Sequence, residues 1–198
     1  MSDSTWAAYN TGEYPARPRL LTTLDNYCKE SGMALDLGCG SGRDTKELLK
    51  RGWAVTAVDS DLGSLKTLQA EAPKNNKLTV LNTNFESLQL STNTFNLINA
   101  SYALPFCRPQ SFLNFWQMMV ASLRPNGIVS FELFGINDDW AKLPRPASTM
   151  SFHSRTQVDH LLKDLKIEIF KEEEFEGPTF DAPDKHWHIF SCIVRKDV

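Results

Sequence analysis

The chain has 198 residues, a length that suits one domain with a sizeable hydrophobic core. Its formal net charge of −3 argues against a nucleic acid or an anionic membrane as partner, because both attract basic surfaces. No apolar run approaches the roughly 20 residues that cross a bilayer, and residues 1–18 lack the plan of a signal peptide. The four cysteines have no CxxC spacing, so we expect a soluble, reduced, cytoplasmic protein.

Strand and helix patterns alternate along the first 135 residues. Short apolar runs predict strands, and apolar positions three and four residues apart predict helices. In chain order, the pattern predicts a helix from Leu20 to Cys28, a strand over 33–37, a helix over 41–51, a strand over 53–59, a helix over 61–72, strands over 77–82 and 95–101, a helix over 112–123 and a strand over 128–134.

Four local signals predict where these elements begin or end. Gly32 is expected to cap the first helix, and Gly52 to stop the second. Ser41 and Asp44 have the spacing of a capping box at the start of the second helix. The "RPNG" segment at 124–127 predicts a turn before the fifth strand.

The last part of the chain predicts a different arrangement. A capping box at Ser154 and Gln157 opens a further helix. Two long strands over 166–175 and 186–196 are joined by a Gly/Pro/Asp loop, so they should pair as an antiparallel hairpin. The whole pattern predicts an α/β fold: a Rossmann-like, doubly wound, mainly parallel sheet of seven strands with a C-terminal antiparallel hairpin.

The segment "ALDLGCGSGRDT" at 34–45 places a glycine-rich turn at the end of the first strand, where ligands bind in such sheets. Dinucleotide sites use G-x-G-x-x-G, but here Gly38, Gly40 and Gly42 alternate and Arg43 stands where the third glycine is expected. The segment does not match a Walker A phosphate-binding loop either, because no Gly-Lys-Ser/Thr follows. The turn brings backbone close to a ligand without requiring a phosphate.

Asp59 ends the second strand and gives a second indication of the ligand. A carboxylate at this place can accept hydrogen bonds from both hydroxyls of a ribose, although capping the next helix is an alternative role. The turn and Asp59 together favour an adenosine-type ligand.

These residues resemble class I S-adenosylmethionine-dependent methyltransferases. "LDLGCGSG" resembles the first motif of that family, Asp59 its ribose-binding acid, and "LRPNGIVSFELFG" its fifth-strand motif. The resemblance covers roughly residues 15–196 as a single domain, with an N-terminal lid and helix over 1–32, a cofactor-binding core over 33–135 and a C-terminal helix and hairpin over 136–198. "GCGSGRDT" and "KHWHIFSCIVRK" are similar to the small-molecule branch related to tellurite-resistance methyltransferases.

The resemblance implies S-adenosylmethionine as the cofactor, S-adenosylhomocysteine as the product and a small molecule as the methyl acceptor. Arg17 and Arg19 compete with Arg43 for the cofactor carboxylate, and Asn84 stands where the family often has aspartate. The residues that we expect to bind the cofactor are Asp36, Gly38, Gly40, Arg43, Asp59, Asn84, Phe85 and Ser101.

The acceptor is expected to bind beyond the fourth and fifth strands. Aromatic side chains suit a sulfonium, and Trp6 and Tyr9 could join Tyr14 in an N-terminal lid. The candidate pocket residues are Tyr14, Tyr102, Phe106, Phe134 and His153, with Trp140 and Phe152 beside them. His186 and His188 alternate on one strand face, but no third ligand lies near them in the sequence, so we expect no metal.

Methyl transfer is an in-line displacement that depends on alignment more than on acid–base groups, so no catalytic residue is assigned. Three other functions stay open. "NASY" at 99–102 faintly resembles the motif of nucleic-acid adenine methyltransferases, although it lacks both prolines. The acceptor could also be a protein or a carboxyl group, and Asn84 and Asn96 could mark a binding module without activity. The glycine spacing disfavours a dehydrogenase.

Overall fold

A computed structural model describes residues 14–74, 76–179 and 183–197, and it consists of one sheet between two layers of helices. The strands are β1 Met33–Leu37, β2 Ala54–Asp59, β3 Leu78–Asn82, β4 Phe95–Ala100, β5 Leu123–Gly135, β6 Phe152–His153, β7 Leu165–Gly177 and β8 Lys185–Lys196. The helices are α1 Pro18–Asn26, α2 Arg43–Lys50, α3 Leu62–Glu71, α4 Pro109–Ser122, α5 Pro144–Thr149 and α6 Arg155–Leu162. Two short 3₁₀ turns lie at Leu104–Phe106 and Asp139–Lys142.

The strand order β3-β2-β1-β4-β5-β8-β7 confirms the predicted topology. The first five strands pair in parallel, and β8 lies antiparallel between β5 and β7. The sequence did not predict β6, which pairs in parallel with the end of β5 through Phe134 and Phe152. The pairing of β4 with β5 stops at Ala100, and β6 pairs with the same edge of β5 beyond that point. The opposite edge of β5 is occupied by β8.

Alternate residues of the central strands face opposite layers, which divides the core in two. Ala34 and Leu97 pack against the leucines of α1, α2 and α3. Leu35 and Ile98 pack on the other side against the aromatic face of α4 and against α6. All parallel strands end at the same edge of the sheet, and the glycine turn follows β1 at that edge.

The predicted capping box at the start of α2 is wrong. The helix begins at Arg43, and its N-cap is Gly42, which has a left-handed φ of +87°. The carboxylate of Asp44 accepts hydrogen bonds from the backbone N–H and the guanidinium of Arg17. A contact with a residue 27 positions away has therefore replaced the local cap.

The predicted cap at Gly32 is also wrong, because α1 ends six residues earlier at Asn26. Gly32 precedes β1, where a Cβ would lie 2.4 Å from Oδ1 of Asn96, so close packing explains the glycine. The predicted turn at 124–127 lies inside β5, at a register shift in its pairing with β4. The stop at Gly52, with φ +87°, and the capping box of Ser154 and Gln157 are confirmed.

Replacing Gly42 with alanine tests the geometry of the turn. The new Cβ would lie 2.3 Å from Cδ1 of Leu68 at a positive φ, so we expect the free energy of unfolding to fall by about 1–3 kcal/mol. Urea denaturation measures this change. The control is Gly63→Ala in the first turn of α3, where the new Cβ meets Asp61 at an ordinary 3.5 Å and stability should be kept. Equal stability of the two variants would contradict the role of Gly42.

Candidate functional site

A cavity of about 760 Å³ opens at the carboxyl ends of β1, β2 and β4. We call its two parts the loop half and the aromatic half. The loop half is lined by Gly38–Ser41, Arg43, Val58–Asp61 and Thr83–Glu86, with Tyr14, Arg17 and Ser101 at its border. The aromatic half is lined by Tyr102, Ala103, Phe106, Phe134, Trp140, Phe175, Pro178, Thr179, Trp187 and Ile189.

The glycine turn forms one wall of the loop half. Gly38 and Gly40 have φ values of +64° and +53°, which other residues rarely adopt. A Cβ on Gly38 would lie 2.7 Å from the Cβ of Ala103, so the backbone here passes close to the end of β4. The backbone N–H of Cys39 donates to the carbonyl of Val58 at 3.1 Å and ties the turn to β2.

The carboxylate of Asp59 holds this turn against the loop after β2. Its two oxygens accept from the backbone N–H groups of Gly40 and Asp61, each at 2.8 Å. The N-cap of α3 is Asp61, which accepts from Gly63 and Ser64, so Asp59 does not have the alternative capping role. Asp59 lines the cavity with its position fixed by two charge-assisted hydrogen bonds.

The segment after β3 forms the opposite wall of the loop half. Asn84 accepts the backbone N–H of Ser87 at 2.9 Å through Oδ1, and this bond shapes the turn. An amide oxygen has two lone pairs, so one remains for a ligand. Phe85 packs its ring on Phe115 with centroids 4.9 Å apart and also lines the cavity.

Below the cavity, polar side chains replace the apolar ones at the ends of the central strands. We call these residues, together with the side chains at the starts of α1 and α2 that pair with them, the buried polar layer: Arg17, Arg19, Asp36, Asp44, Thr45, Asn99, Ser101, Ser130 and Glu132. Arg17 and Ser101 also reach the lining of the cavity. Asp36 accepts from Thr45 at 2.5 Å and from Nδ2 of Asn99 at 2.8 Å. The same Nδ2 donates to Asp44 at 3.1 Å, so two buried carboxylates share one amide.

Arg19 of α1 organises the other part of the layer. Its guanidinium donates to Ser130 at 3.0 Å and to Ser101 at 3.1 Å, and it forms an ion pair with Glu132 of β5. Glu132 also accepts the backbone N–H of Tyr102 at 2.8 Å. Tyr102 has a φ of +53°, a conformation that is unusual for a bulky residue and is stabilised here by this bond.

The charges of the layer do not balance. Three carboxylates, Asp36, Asp44 and Glu132, face the two guanidinium groups of Arg17 and Arg19. Burial, followed by the nearby charge of Asp44, raises the pKa of Asp36 to about 7. Burial lowers the pKa of Arg19 to about 10, which leaves it protonated at neutral pH. Asp36 is therefore the carboxylate that lacks a cation of its own.

Two of the three candidate arginines reach the cavity. Arg17 and Arg43 line it, whereas Arg19 is held in the buried polar layer beneath. Nε of Arg43 donates to the carbonyl of Pro15 at 2.6 Å, and its guanidinium lies 5.4 Å from the ring centroid of Tyr14. Arg43 thereby fixes the start of the described chain against the cavity.

The aromatic half is a cluster of rings set edge to face. Trp187 lies 5.4 Å from Trp140 and 5.6 Å from Phe134, centroid to centroid. The ammonium of Lys185 lies 3.7 Å from the centroid of Trp187 and 4.4 Å from that of Trp140, and it forms an ion pair with buried Asp138. Burial lowers the pKa of Lys185, and Asp138 opposes that change. This ammonium braces the rings from outside the lining of the cavity.

The structure does not bring every candidate to this cavity. His153 and Phe152 line a separate cavity beside α4 and α6. Nδ1 of His153 is buried without a hydrogen-bond partner among the described residues, and burial lowers the pKa of this histidine to about 4. Asp36 lies in the layer beneath the cavity. Trp6 and Tyr9 lie outside the described residues.

The two histidines of β8 pair with glutamates of β7. His186 contacts Glu174 at 2.7 Å and Glu176 at 2.8 Å, and His188 contacts Glu172 at 3.1 Å. Within the described ranges, no group of three or more histidine, cysteine or acidic side chains is arranged to hold a metal ion. In the same part of the chain, no helix is both long and apolar enough to cross a membrane.

Sequence reasoning missed several residues that build the site. Asn99, Ser130 and Glu132 interrupt otherwise apolar central strands, and this interruption was a usable signal because such strands are normally apolar on both faces. Phe175 and Trp187 carried no comparable signal, since an aromatic residue on a hairpin more often belongs to the core.

Comparisons with known proteins agree with this geometry. Residues 34–127 match the family model described as "Methyltransferase domain". The chain is 27% identical over 150 residues to a malonyl-[acyl-carrier protein] O-methyltransferase of Salmonella typhimurium, covering 73% of this chain and 57% of that protein. It spans 23% of the length of a second curated relative, a ribosomal protein L11 methyltransferase of Campylobacter hominis.

Two solved structures share the fold at low sequence identity. TehB from Haemophilus influenzae matches with a TM-score of 0.76 and 18% identity, covering 98% of this chain and 66% of that chain. The 1,6-didemethyltoxoflavin-N1-methyltransferase of Burkholderia thailandensis, solved with bound 1,6-didemethyltoxoflavin and S-adenosylhomocysteine, matches with a TM-score of 0.72 and 18% identity, covering 98% of this chain and 85% of that chain.

The matched segment and the fold agree with each other. Residues 34–127 are similar to a methyltransferase domain, and the architecture is one that this chain shares with TehB and the 1,6-didemethyltoxoflavin-N1-methyltransferase. The resemblance inferred from the glycine turn, Asp59 and the fifth strand is thereby confirmed.

The raised pKa of Asp36 predicts how stability depends on pH. The folded state holds the proton of Asp36 more tightly than the unfolded chain does. Protonation of Asp36 therefore contributes fully to the stability of the fold below about pH 4, and this contribution is lost as the pH rises through about 7. Asp36→Asn removes the titrating group, so the variant should gain stability relative to the parent protein over this window, on the order of 2–4 kcal/mol. Urea denaturation at pH 4.5 and pH 8 measures the difference. Parallel stability curves for the two proteins would contradict the assignment.

Proposed function

We propose that this chain binds S-adenosylmethionine and transfers its methyl group to a small-molecule acceptor. The observation that carries the proposal is the continuous cavity, which joins a loop half suited to an adenosine cofactor to an aromatic half suited to an acceptor. The methyl group would lie where the halves meet, near Ser101 and Tyr102.

The loop half has a group for each part of the cofactor. Asp59 is suited to accept the two ribose hydroxyls, because its carboxylate is oriented by Gly40 and Asp61. Phe85 offers a ring to the adenine, and the free lone pair of Asn84 can accept from the adenine amino group. Gly38 and Gly40 allow the backbone to approach the methionine part.

The charges at the border suit the amino-acid end of the cofactor. Arg17 and Arg43 line the cavity and can bind the carboxylate. The cofactor's ammonium group would then lie above the buried polar layer, where Asp36 lacks a cation of its own. In this proposal the cofactor supplies the positive charge that the layer lacks.

Methyl transfer from a sulfonium depends little on acid–base groups. The nucleophile attacks the methyl carbon in line with the bond to the sulfonium, and the leaving group is a neutral thioether. The protein contributes alignment and exclusion of water, which can lower the barrier by about 7–11 kcal/mol. A thiolate or a metalloid oxyanion would need no general base, so both classes belong in a first acceptor screen.

A small acceptor is favoured over a macromolecule by the size of the cavity, about 760 Å³, which lies in the range of small-molecule sites. Phe175, Pro178 and Thr179 of the hairpin line the aromatic half, and Tyr14 and Arg17 line the border of the loop half. The net charge of −3 also disfavours a nucleic acid, because proteins that bind nucleic acids carry an excess of basic residues.

Calorimetric titration with S-adenosylhomocysteine tests the cofactor. We expect micromolar binding, and we expect Asp59→Ala to weaken it by about 1–3 kcal/mol because charge-assisted hydrogen bonds are lost. The control is Asp164→Ala, which removes an 85% exposed carboxylate and should leave the affinity unchanged. Binding of NAD in place of S-adenosylhomocysteine would overturn the proposal.

Turnover separates an enzyme from a binding module. Purified protein incubated with S-adenosylmethionine and a panel of thiols, metalloid oxyanions and uncharged aromatic alcohols and amines should form S-adenosylhomocysteine faster than the same mixture without protein. Arg17→Met should raise the KM for the cofactor, because a cation that lines its site is removed. Tight cofactor binding without acceleration by any acceptor class would favour a binding module.

A further inference from the structure

The aromatic half contains no charged side chain among the described residues that line it. Eight of its ten lining residues are aromatic, proline or aliphatic with no polar group beyond an indole: Ala103, Phe106, Phe134, Trp140, Phe175, Pro178, Trp187 and Ile189. Trp187 uses its indole N–H to donate to the carbonyl of Gly177 at 3.2 Å. A charged acceptor would lose its hydration here without gaining a partner from these side chains.

The ammonium of Lys185, which contacts these rings, already has an ion-pair partner. Lys185 is 6% exposed and pairs with Asp138, which is itself fully buried. Asp138 also accepts the backbone N–H of Trp140 at 2.9 Å, so the pair fixes the loop that carries this ring. Lys185 contacts the rings of the aromatic half but does not line the cavity. It is therefore not available to an anionic acceptor.

The same ammonium disfavours a cationic acceptor. A cation that already contacts an aromatic ring repels a second cation at the same ring, which weakens the cation–π attraction of the second cation. Trp140, Trp187 and Phe134 all lie within 5.6 Å of the Lys185 ammonium, measured to their centroids. Flat rings set edge to face in this way present surfaces that suit another flat ring.

We propose that the methyl acceptor is an uncharged aromatic molecule that carries its nucleophilic oxygen, nitrogen or sulfur on the ring system. This inference rests on the proposed function and narrows its acceptor class, and it disfavours metalloid oxyanions. The bond from the sulfonium to the methyl carbon breaks as the nucleophile bonds to that carbon. The electron pair of the broken bond stays on sulfur, and the proton of the nucleophile leaves to solvent.

Two matched probes test the charge preference by binding, without requiring turnover. The probes are 2-naphthol and 6-hydroxy-2-naphthoate, which differ by one carboxylate. Calorimetry with protein saturated with S-adenosylhomocysteine should give a Kd for 2-naphthol at least about tenfold lower than for the carboxylate. Equal affinities, a preference for the carboxylate, or no binding of 2-naphthol would overturn the inference.

A charge placed at the mouth of the aromatic half should change the preference. Phe175 lines the cavity, lies on β7 and is 45% exposed, so Phe175→Lys should fold. We expect this variant to bind 6-hydroxy-2-naphthoate at least about fivefold more tightly than the parent protein does. Ile167→Lys is the matched control, because Ile167 lies on the same strand, is 50% exposed and does not line the cavity.

The cofactor titration separates the two possible failures. If S-adenosylhomocysteine does not bind, the proposed function fails and the acceptor class fails with it. If S-adenosylhomocysteine binds but the two naphthalene probes show the reverse preference, or Phe175→Lys and Ile167→Lys behave alike, only the acceptor class is overturned.

Discussion

The buried ion pair between Arg19 and Glu132 connects the parts of the molecule that form the site. It joins α1 to β5. The second carboxylate oxygen of Glu132 accepts the backbone N–H of Tyr102 and stabilises the left-handed conformation of that residue. Removing one member would leave the other charge buried without a partner, which is costly. The pair therefore fixes the N-terminal helix, the end of β4 and the floor of the cavity relative to one another.

The layer around this pair explains why the floor of the cavity is polar although the sheet below it is apolar. Asn99 and Ser130 stand two positions beyond Leu97 and Ile128 on the same faces of their strands. The change from apolar to polar marks the end of the core. The excess carboxylate of Asp36 lies at this boundary, so a proton or a bound cation can neutralise it.

The aromatic half uses a buried charge in a different way. Asp138 and Lys185 neutralise each other outside the cavity lining, and the ammonium supports the rings of Trp140 and Trp187. The result is a closely packed wall with no charge facing the cavity from its described residues. Such contacts favour alignment of the reacting atoms, on which methyl transfer chiefly depends.

The sequence by itself determined the alternation of strands and helices, the C-terminal hairpin and the turn that follows β1, because strand and helix periodicity and glycine placement are local properties. It also indicated Asp59, which ends its strand. Only the tertiary structure decided that Asp44 binds Arg17 instead of capping α2, that His153 lies in a separate cavity, and that Phe175 and Trp187 line this one. These outcomes depend on contacts between residues far apart in the chain, whose energies outweigh local preferences and leave no local pattern to read.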